Sequence, residues 1–134
     1  MTVAPPPPGF NEVIFIETGC GTDQHGQDVT KACVRACKDA ISWNSIPSLE
    51  RLVPGGNDGV KIQLQLAVPF YADGSPPALD MEQIRACFAY GTLEEPISMM
   101  PGGARFSSMC SVPSLGDDSE AAWVVAIACV TVGW

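Results

Sequence analysis

The single histidine of the chain lies in a short segment rich in polar residues and glycine, G-C-G-T-D-Q-H-G-Q-D at residues 19–28. Imidazole is the side chain that exchanges protons most readily near neutral pH. Asp23 stands two positions before His25, where a carboxylate can orient the ring or stabilise its protonated form. We therefore predict that His25 is a general acid or base and that Asp23 is its catalytic partner.

The same segment contains candidate substrate-binding groups. Gly19, Gly21 and Gly26 would let the backbone approach a ligand closely, because glycine has no side chain. Gln27 would supply an amide contact, and Lys31 would add a positive charge one helical turn further on. A helix N-terminus directly behind the segment favours a bound carboxylate, enolate or oxyanion.

Other interpretations of the segment remain open. A dinucleotide cradle would need glycine where this chain has Gln24, and no phosphate-binding lysine motif follows. A metal site would use Asp23, His25 and Asp28, but Asp28 is the expected helix cap and no second histidine is present, so we expect no metal. Cys20 would be a nucleophile if His25 activated it, and a purely structural turn would use the same glycines and aspartates.

Three aromatic residues outside the segment are candidates for completing a pocket. Trp43 follows the expected motif helix directly, and we predict that it and Tyr90 bind substrate. In an oligomer the pocket would lie between subunits, completed by Trp43, Tyr71 or Tyr90.

The pattern of apolar residues predicts the elements that position the segment. The sequence favours a buried strand over residues 12–18, a helix over 29–42 capped by Asp28, and a strand over 60–68 in which apolar and polar residues alternate. A second helix is predicted to start at a capping-box pattern formed by Asp80 and Gln83. One or two irregular strands follow over 95–112, then a loop over 114–120 and an apolar final strand over 121–132.

The predicted fold is an α+β two-layer sandwich, in which two helices cover one face of a four- to five-stranded mixed sheet in the order β-α-β-α-β(β)-β. Residues 1–9 are predicted to form a flexible polyproline arm, and residues 10–134 a single domain.

Composition excludes several classes of partner. The chain has 134 residues and a net charge of −8, a balance that disfavours nucleic acid and anionic membranes. The start lacks the basic and apolar regions of a signal peptide, and we expect the six cysteines to be free thiols, which predicts a cytoplasmic protein. A polar sheet face with Lys61, Gln63 and Gln65, left uncovered by helices, predicts a homo-oligomer.

The motif G-x-G-x-D-x-H-G, followed by Q-D-x-T-K-A and K-D-A-I, resembles a small family of conserved hypothetical proteins first named from a Listeria reading frame. The family has members in bacteria, plants and fungi. The matching residues are Gly19, Gly21, Asp23, His25, Gly26, Gln27, Asp28, Thr30, Lys31, Ala32, Lys38, Asp39, Ala40 and Ile41. The family has no established activity, so the resemblance implies a shared site more than a reaction. Similar proteins often carry a histidine near the end of the second helix, where this chain has Tyr90 and Gly91.

These features together predict a small enzyme that needs no cofactor and performs acid–base chemistry of the isomerase, cyclase or lyase type. The substrate is expected to be a small, anionic organic molecule. The polyproline start, the acidic composition and the additional tryptophans suggest a specialised enzyme of secondary metabolism. The alternatives are a homo-oligomeric binding or assembly protein without catalysis, and a hydrolase that is metal-assisted or uses Cys20.

Overall fold

The computed structural model describes residues 1–116 and 118–134, so residue 117 of the predicted loop over 114–120 lies outside the described residues. The strands are β1 (Val13–Asp23), β2 (Lys61–Val68), β3 (Thr92–Leu93), β4 (Ser98–Pro101), β5 (Ala104–Ser107) and β6 (Ala122–Gly133). The helices are α1 (Val29–Ser42), α2 (Leu49–Leu52) and α3 (Met81–Arg85), and single 3₁₀ turns lie at Gly56–Gly59 and Pro113–Leu115.

The strands form one mixed sheet with the order β1-β6-β2-β3, in which β4 also pairs with β2 and β5 with β6. Strand β6 is antiparallel to both β1 and β2, whereas β3 and β4 run parallel to β2. The predicted α+β sandwich is confirmed, but the sheet has six strands rather than four or five. The difference arises because Pro96, Pro101 and Gly102 interrupt the region after α3, which therefore pairs as three short strands.

One face of the sheet forms the core of the molecule. Alternate residues of β2, among them Leu64 and Leu66, are fully buried against α1 and α3, as are alternate residues of β6 such as Val124 and Val130. Burial of one such leucine stabilises the fold by about 1.5–3 kcal/mol. Within residues 1–116 and 118–134, no helix packs on the other face of the sheet, which we call the open face.

Helix α1 lies unusually close to β1. An added Cβ on Gly19 would come within 2.3 Å of the carbonyl oxygen of Ala36, and one on Gly21 within 2.1 Å of that of Ala32. The apolar stripe of α1, which includes Cys33 and Cys37, is therefore pressed directly onto the backbone of the strand. This packing fixes where α1 begins relative to the end of β1.

Helix α3 is short and ends at Arg85. Asp80 caps it as predicted, because its carboxylate accepts hydrogen bonds from the backbone N–H groups of Glu82 (3.1 Å) and Gln83 (3.3 Å). After Arg85 the chain tightens, since the N–H of Phe88 donates to the carbonyl of Arg85, three residues back (3.1 Å).

The polyproline arm lies beside the open face. Nζ of Lys61 donates to the carbonyl of Gly9 (2.5 Å), and the N–H of Phe10 donates to that of Pro7 (3.1 Å). The arm and the adjacent end of the open face enclose a groove of about 590 Å³. Within the described residues, no helix has the length and apolar character needed to cross a bilayer.

Candidate functional site

Residues 19–23 of the histidine segment continue β1, five residues beyond the predicted strand end at residue 18, and residues 24–28 form the loop between β1 and α1, which opens onto a surface pocket. The pocket has a volume of about 340 Å³. Its lining consists of Thr22, Asp23, Gln24, His25, Lys31, Arg35 and Leu115. Three of the residues that were predicted from the sequence thus line this pocket, Asp23, His25 and Lys31, whereas Gly26 lines a neighbouring cavity.

The carboxylate that holds the imidazole of His25 is Asp118, in the segment that leads into β6. Nδ1 of His25 lies 3.1 Å from Oδ2 of Asp118. The Asp118 side chain is fully buried, while 23% of the His25 side chain remains exposed. The predicted partnership of His25 with Asp23 is therefore corrected, because the ring is oriented by a residue 93 positions away in the chain.

Asp118 is surrounded by hydrogen-bond donors. The backbone N–H of Val112 donates to it at 2.6 Å and that of Gly26 at 3.5 Å, and the side-chain amide of Gln27 also donates to it. Burial raises the pKa of the Asp118 carboxyl, but these bonds and the one from His25 outweigh burial and hold the pKa below its ordinary value. An ionised carboxylate only accepts hydrogen bonds, so Nδ1 of His25 carries the proton and Nε2 is left available.

Asp23 has a different role, at the end of β1. Its side chain is nearly fully buried, and its Oδ2 accepts a hydrogen bond from the N–H of Asp28 (2.9 Å). Its Oδ1 lies 3.4 Å from Nζ of Lys31 and 3.8 Å from the guanidinium of Arg35. Arg35 in turn donates to the carbonyl of Thr22 (2.6 Å). Asp23 thus positions two cations, and with a neutral imidazole the pocket carries a net charge of +1 (two cations minus one carboxylate).

The cap predicted at Asp28 is confirmed, since its Oδ1 accepts from the N–H of Lys31 (3.0 Å). Gln27 does not serve as the expected ligand contact in the histidine pocket. Its amide nitrogen donates to Asp118 and to the carbonyl of Ala122 (3.4 Å), and its amide oxygen accepts from the N–H of Glu120 (3.4 Å). Gln27 has a left-handed backbone with φ of 48°, and it joins the motif loop to the segment before β6.

The three glycines divide into two groups. Gly19 and Gly21 lie beneath α1, so the prediction that they allow close approach of a ligand is wrong, and the close approach is that of the helix. Gly26 has a φ of 106°, a conformation that favours glycine, and an added Cβ would lie 3.3 Å from Oδ2 of Asp23. Only Gly26 therefore shapes the loop beside the pocket.

The predicted roles of Trp43 and Tyr90 in this pocket are also corrected. Trp43 ends α1, about 20 Å from the N-terminus of that 14-residue helix, and its indole donates to Asp39 (3.1 Å). Tyr90 precedes Gly91, which packs on Val60, at the end of the sheet opposite the pocket. On β6, Val124 lies opposite Asp23 of the pocket and Gly133 lies opposite Lys61, the residue after Val60. These two positions are nine residues apart, a distance of about 30 Å. Both aromatic side chains are more than 80% exposed.

Tyr71 lies on a neighbouring cavity of about 180 Å³, together with Gln27 and Arg105. This cavity is separate from the one that contains His25. Tyr71 is therefore placed near the back of the motif loop rather than over the imidazole.

Cys20 does not have the geometry of a nucleophile activated by His25. Successive strand residues alternate between faces, and Cys20 is exposed on the open face, whereas Asp23 faces α1. All six cysteines are free, and burial raises the pKa of both Cys33 and Cys37 to about 12. Across residues 1–116 and 118–134, no three His, Cys, Asp or Glu side chains are grouped closely enough to hold a metal ion.

The sequence did not predict two residues of the candidate site, Arg35 and, much further along the chain, Asp118. A signal for Asp118 was present: a polar, acidic loop stands immediately before the final apolar strand. Because β6 runs antiparallel to β1, the start of β6 lies level with the end of β1, with Val124 opposite Asp23. The sequence alone does not reveal that pairing, so it could not place Asp118 beside His25.

The fold and the site define a class: an α+β sandwich in which a strand-to-helix loop presents a carboxylate-bound histidine beside two cations. Within that class, the chain belongs to the conserved hypothetical protein family Lin0512_fam, whose model matches residues 13–132. The family resemblance is thereby confirmed.

A solved structure has a similar fold. The chain is similar to a protein from Nostoc punctiforme PCC 73102, described with its crystal structure at 1.22 Å resolution as an FtsZ-like protein of unknown function. The two are 29% identical with a TM-score of 0.72, and the match covers 90% of this chain and 93% of that one. Among curated proteins, none matches the chain.

Proposed function

We propose that the chain is an enzyme that moves a proton on a small anionic organic substrate, with His25 as the general acid or base. The reaction is of the isomerase, cyclase or lyase type and uses side chains alone. The observation that carries the proposal is the bond between His25 and the buried Asp118 at the wall of a pocket.

The hydrogen bond to Asp118 assigns each ring atom a task. Nδ1–H is committed to the carboxylate, so Nε2 is the atom that takes or gives the substrate's proton. When Nε2 gains a proton, the adjacent carboxylate stabilises the imidazolium. Asp118 itself stays ionised because its hydrogen bonds hold its pKa low.

The charges of the pocket select the substrate. Lys31 and Arg35 outnumber Asp23, which holds both of them at the pocket wall. An anionic group bound there would be placed near His25, and a developing enolate or alkoxide would be stabilised by the same cations. The free thiols fit the reducing cytoplasm that we propose as the compartment.

The experiment uses the fact that His25 is the only histidine of the chain. A panel of small carboxylates and phosphate esters with an acidic C–H bond beside a carbonyl is added to the protein in D₂O. Imidazole NMR resonances report binding beside His25, and mass spectrometry reports deuterium incorporation. We expect at least one anion to do both, and His25→Ala to lose about 10²- to 10⁴-fold of the exchange rate while remaining folded.

Tyr90→Phe is the matched control, because Tyr90 lies at the far end of the sheet, and its exchange rate should equal that of the wild type. Equal rates in the folded His25→Ala variant would remove His25 from the chemistry. A ligand that shifts the imidazole resonances without any exchange would favour the binding-protein alternative.

A further inference from the structure

We propose that the open face binds a second copy of this chain through four neighbouring apolar side chains, Met100, Phe106, Trp123 and Ile127, which we call the open-face patch. These side chains are 37–61% exposed, although all four lie on strands of the sheet. Monomeric proteins seldom leave a contiguous apolar area of this kind in water. The proposal does not depend on the proposed enzymatic function.

Strand register makes the patch continuous. Phe106 lies directly opposite Trp123 in the β5–β6 pair. Two same-face positions further along β6, beyond Val125, Ile127 lies opposite Cys20 on one side and Ala67 on the other. Met100 is opposite Ala67 in turn, so apolar side chains cross the sheet from β1 to β4 without a break. Side chains opposite one another in this way are separated by about 5 Å.

Charge favours a second copy over a charged partner. The open face carries only uncharged side chains between the row of Gln63 and Thr131 and the row of Phe106 and Trp123. These side chains are Thr18, Cys20, Thr22, Gln63, Gln65, Ala67, Ser98, Met100, Ala104, Phe106, Trp123, Val125, Ile127, Cys129 and Thr131. The rest of the chain accounts for its net charge of −8. A basic partner or a membrane would be selected by charge on the contact face. An uncharged face instead matches another uncharged face and buries no charge when two sheets stack.

A polar side chain beside the patch supports the same occupant. The amide of Gln65, one same-face position from Ala67, makes no hydrogen bond within the described chain. A glutamine amide both donates and accepts, so it can pair with the same residue of a second copy. A two-fold interface brings identical surfaces together in this way.

The chain's own arm does not cover the patch. Residues 3–7 line a groove at the other end of the face, together with Ile16, Gln63, Gln65 and Thr131. Along β6, Thr131 is four residues from Ile127, about 13 Å, and eight residues from Trp123, about 26 Å. The patch is therefore left for another molecule.

The test measures mass in solution by light scattering between about 5 and 100 µM. The wild type is expected at a multiple of the 14.1 kDa chain mass. Trp123→Lys and Phe106→Glu should weaken association by about 30-fold or more, because each places a charge in the contact. Trp43→Lys and Tyr90→Glu are matched controls, since both aromatic residues are exposed away from this face, and they should keep the wild-type mass.

A second measurement on the wild type does not depend on variants folding. Cys20 belongs to the face and Cys110 lies in the loop after β5, and both thiols are exposed in the single chain. Alkylation of Cys20 should be about tenfold slower than that of Cys110 at high concentration, and the difference should vanish on dilution to monomers. A monomer at 100 µM would overturn the proposal. So would an oligomer that persists unchanged in folded Trp123→Lys while Cys20 reacts as fast as Cys110.

Discussion

The two halves of the site are built in different ways. The motif loop and the start of α1, residues 23–31, are held by local contacts: Asp28 caps the helix, and Asp23 bonds to the N–H of Asp28. The described residues before β6, 111–116 and 118–121, are irregular, with one 3₁₀ turn at Pro113–Leu115. It is joined to the motif loop chiefly through Asp118 and Gln27.

Two buried carboxylates, one in each half of the site, illustrate this difference. Asp23 and Asp118 are both at most 2% exposed. Asp23 faces two cations, so it sets the charge of the pocket. Asp118 faces an imidazole and amide donors, so it sets the proton position on His25. A local motif can therefore specify charge, while acid–base function needs a residue brought in by the sheet.

The largest expected effect comes from exchanging these two carboxylates for amides, one at a time. Asp118→Asn should lower turnover by about 10²- to 10⁴-fold, because an amide can stabilise the wrong tautomer of the ring. Asp23→Asn should act mainly on KM, since it leaves the His25 bond intact. Steady-state kinetics on both folded variants measure the split. If Asp23→Asn lowered kcat more than Asp118→Asn did, the assignment of roles would be reversed.

The second-largest effect concerns the stability that the close packing of α1 on β1 gives to the motif half of the site. Gly21→Ala should destabilise the protein by about 3 kcal/mol, because the new methyl group would overlap the backbone of α1. Cys20→Ala, one residue earlier, is the matched control and should stay within about 1 kcal/mol of the wild type, since that side chain is exposed. Urea denaturation measures both. Equal midpoints would show that α1 can lift away from β1 without cost.

The parts of the fold that sequence could predict are those with a local cause. The alternation of Ile62 to Val68 fixed both the strand and its buried face, and Asp28 and Asp80 marked helix starts by their own capping bonds. The three short strands after α3 were harder, because each depends on pairing with β2 or β6 rather than on its own pattern. Placing Trp43 and Tyr90 near the site failed for the same reason, since closeness in space is set by strand register.

The smallest effect is the pH dependence of stability, where two carboxyl groups have opposite signs. The folded pKa of Asp118 is below its ordinary value of 3.8, so its contribution to stability is present above about pH 4 and is lost as the pH falls through the folded pKa. Burial raises the pKa of Glu17 above 4.5, so its charged form costs stability as the pH rises through that range. Oε2 of Glu17 is buried without a partner in the described chain.

Urea midpoints measured from pH 2 to pH 7 separate the two contributions. Asp118→Asn should flatten the acid side of the profile, whereas Glu17→Gln should raise stability near neutral pH by about 0.5–1 kcal/mol and lose that advantage in acid. Glu17 lies on the helix-covered face of β1, away from the histidine pocket, so Glu17→Gln should leave the NMR resonances of His25 unchanged. A wild-type acid profile retained by Asp118→Asn would mean that the segment before β6 is held by something other than this carboxylate, and the contrast between the two halves of the site would fail.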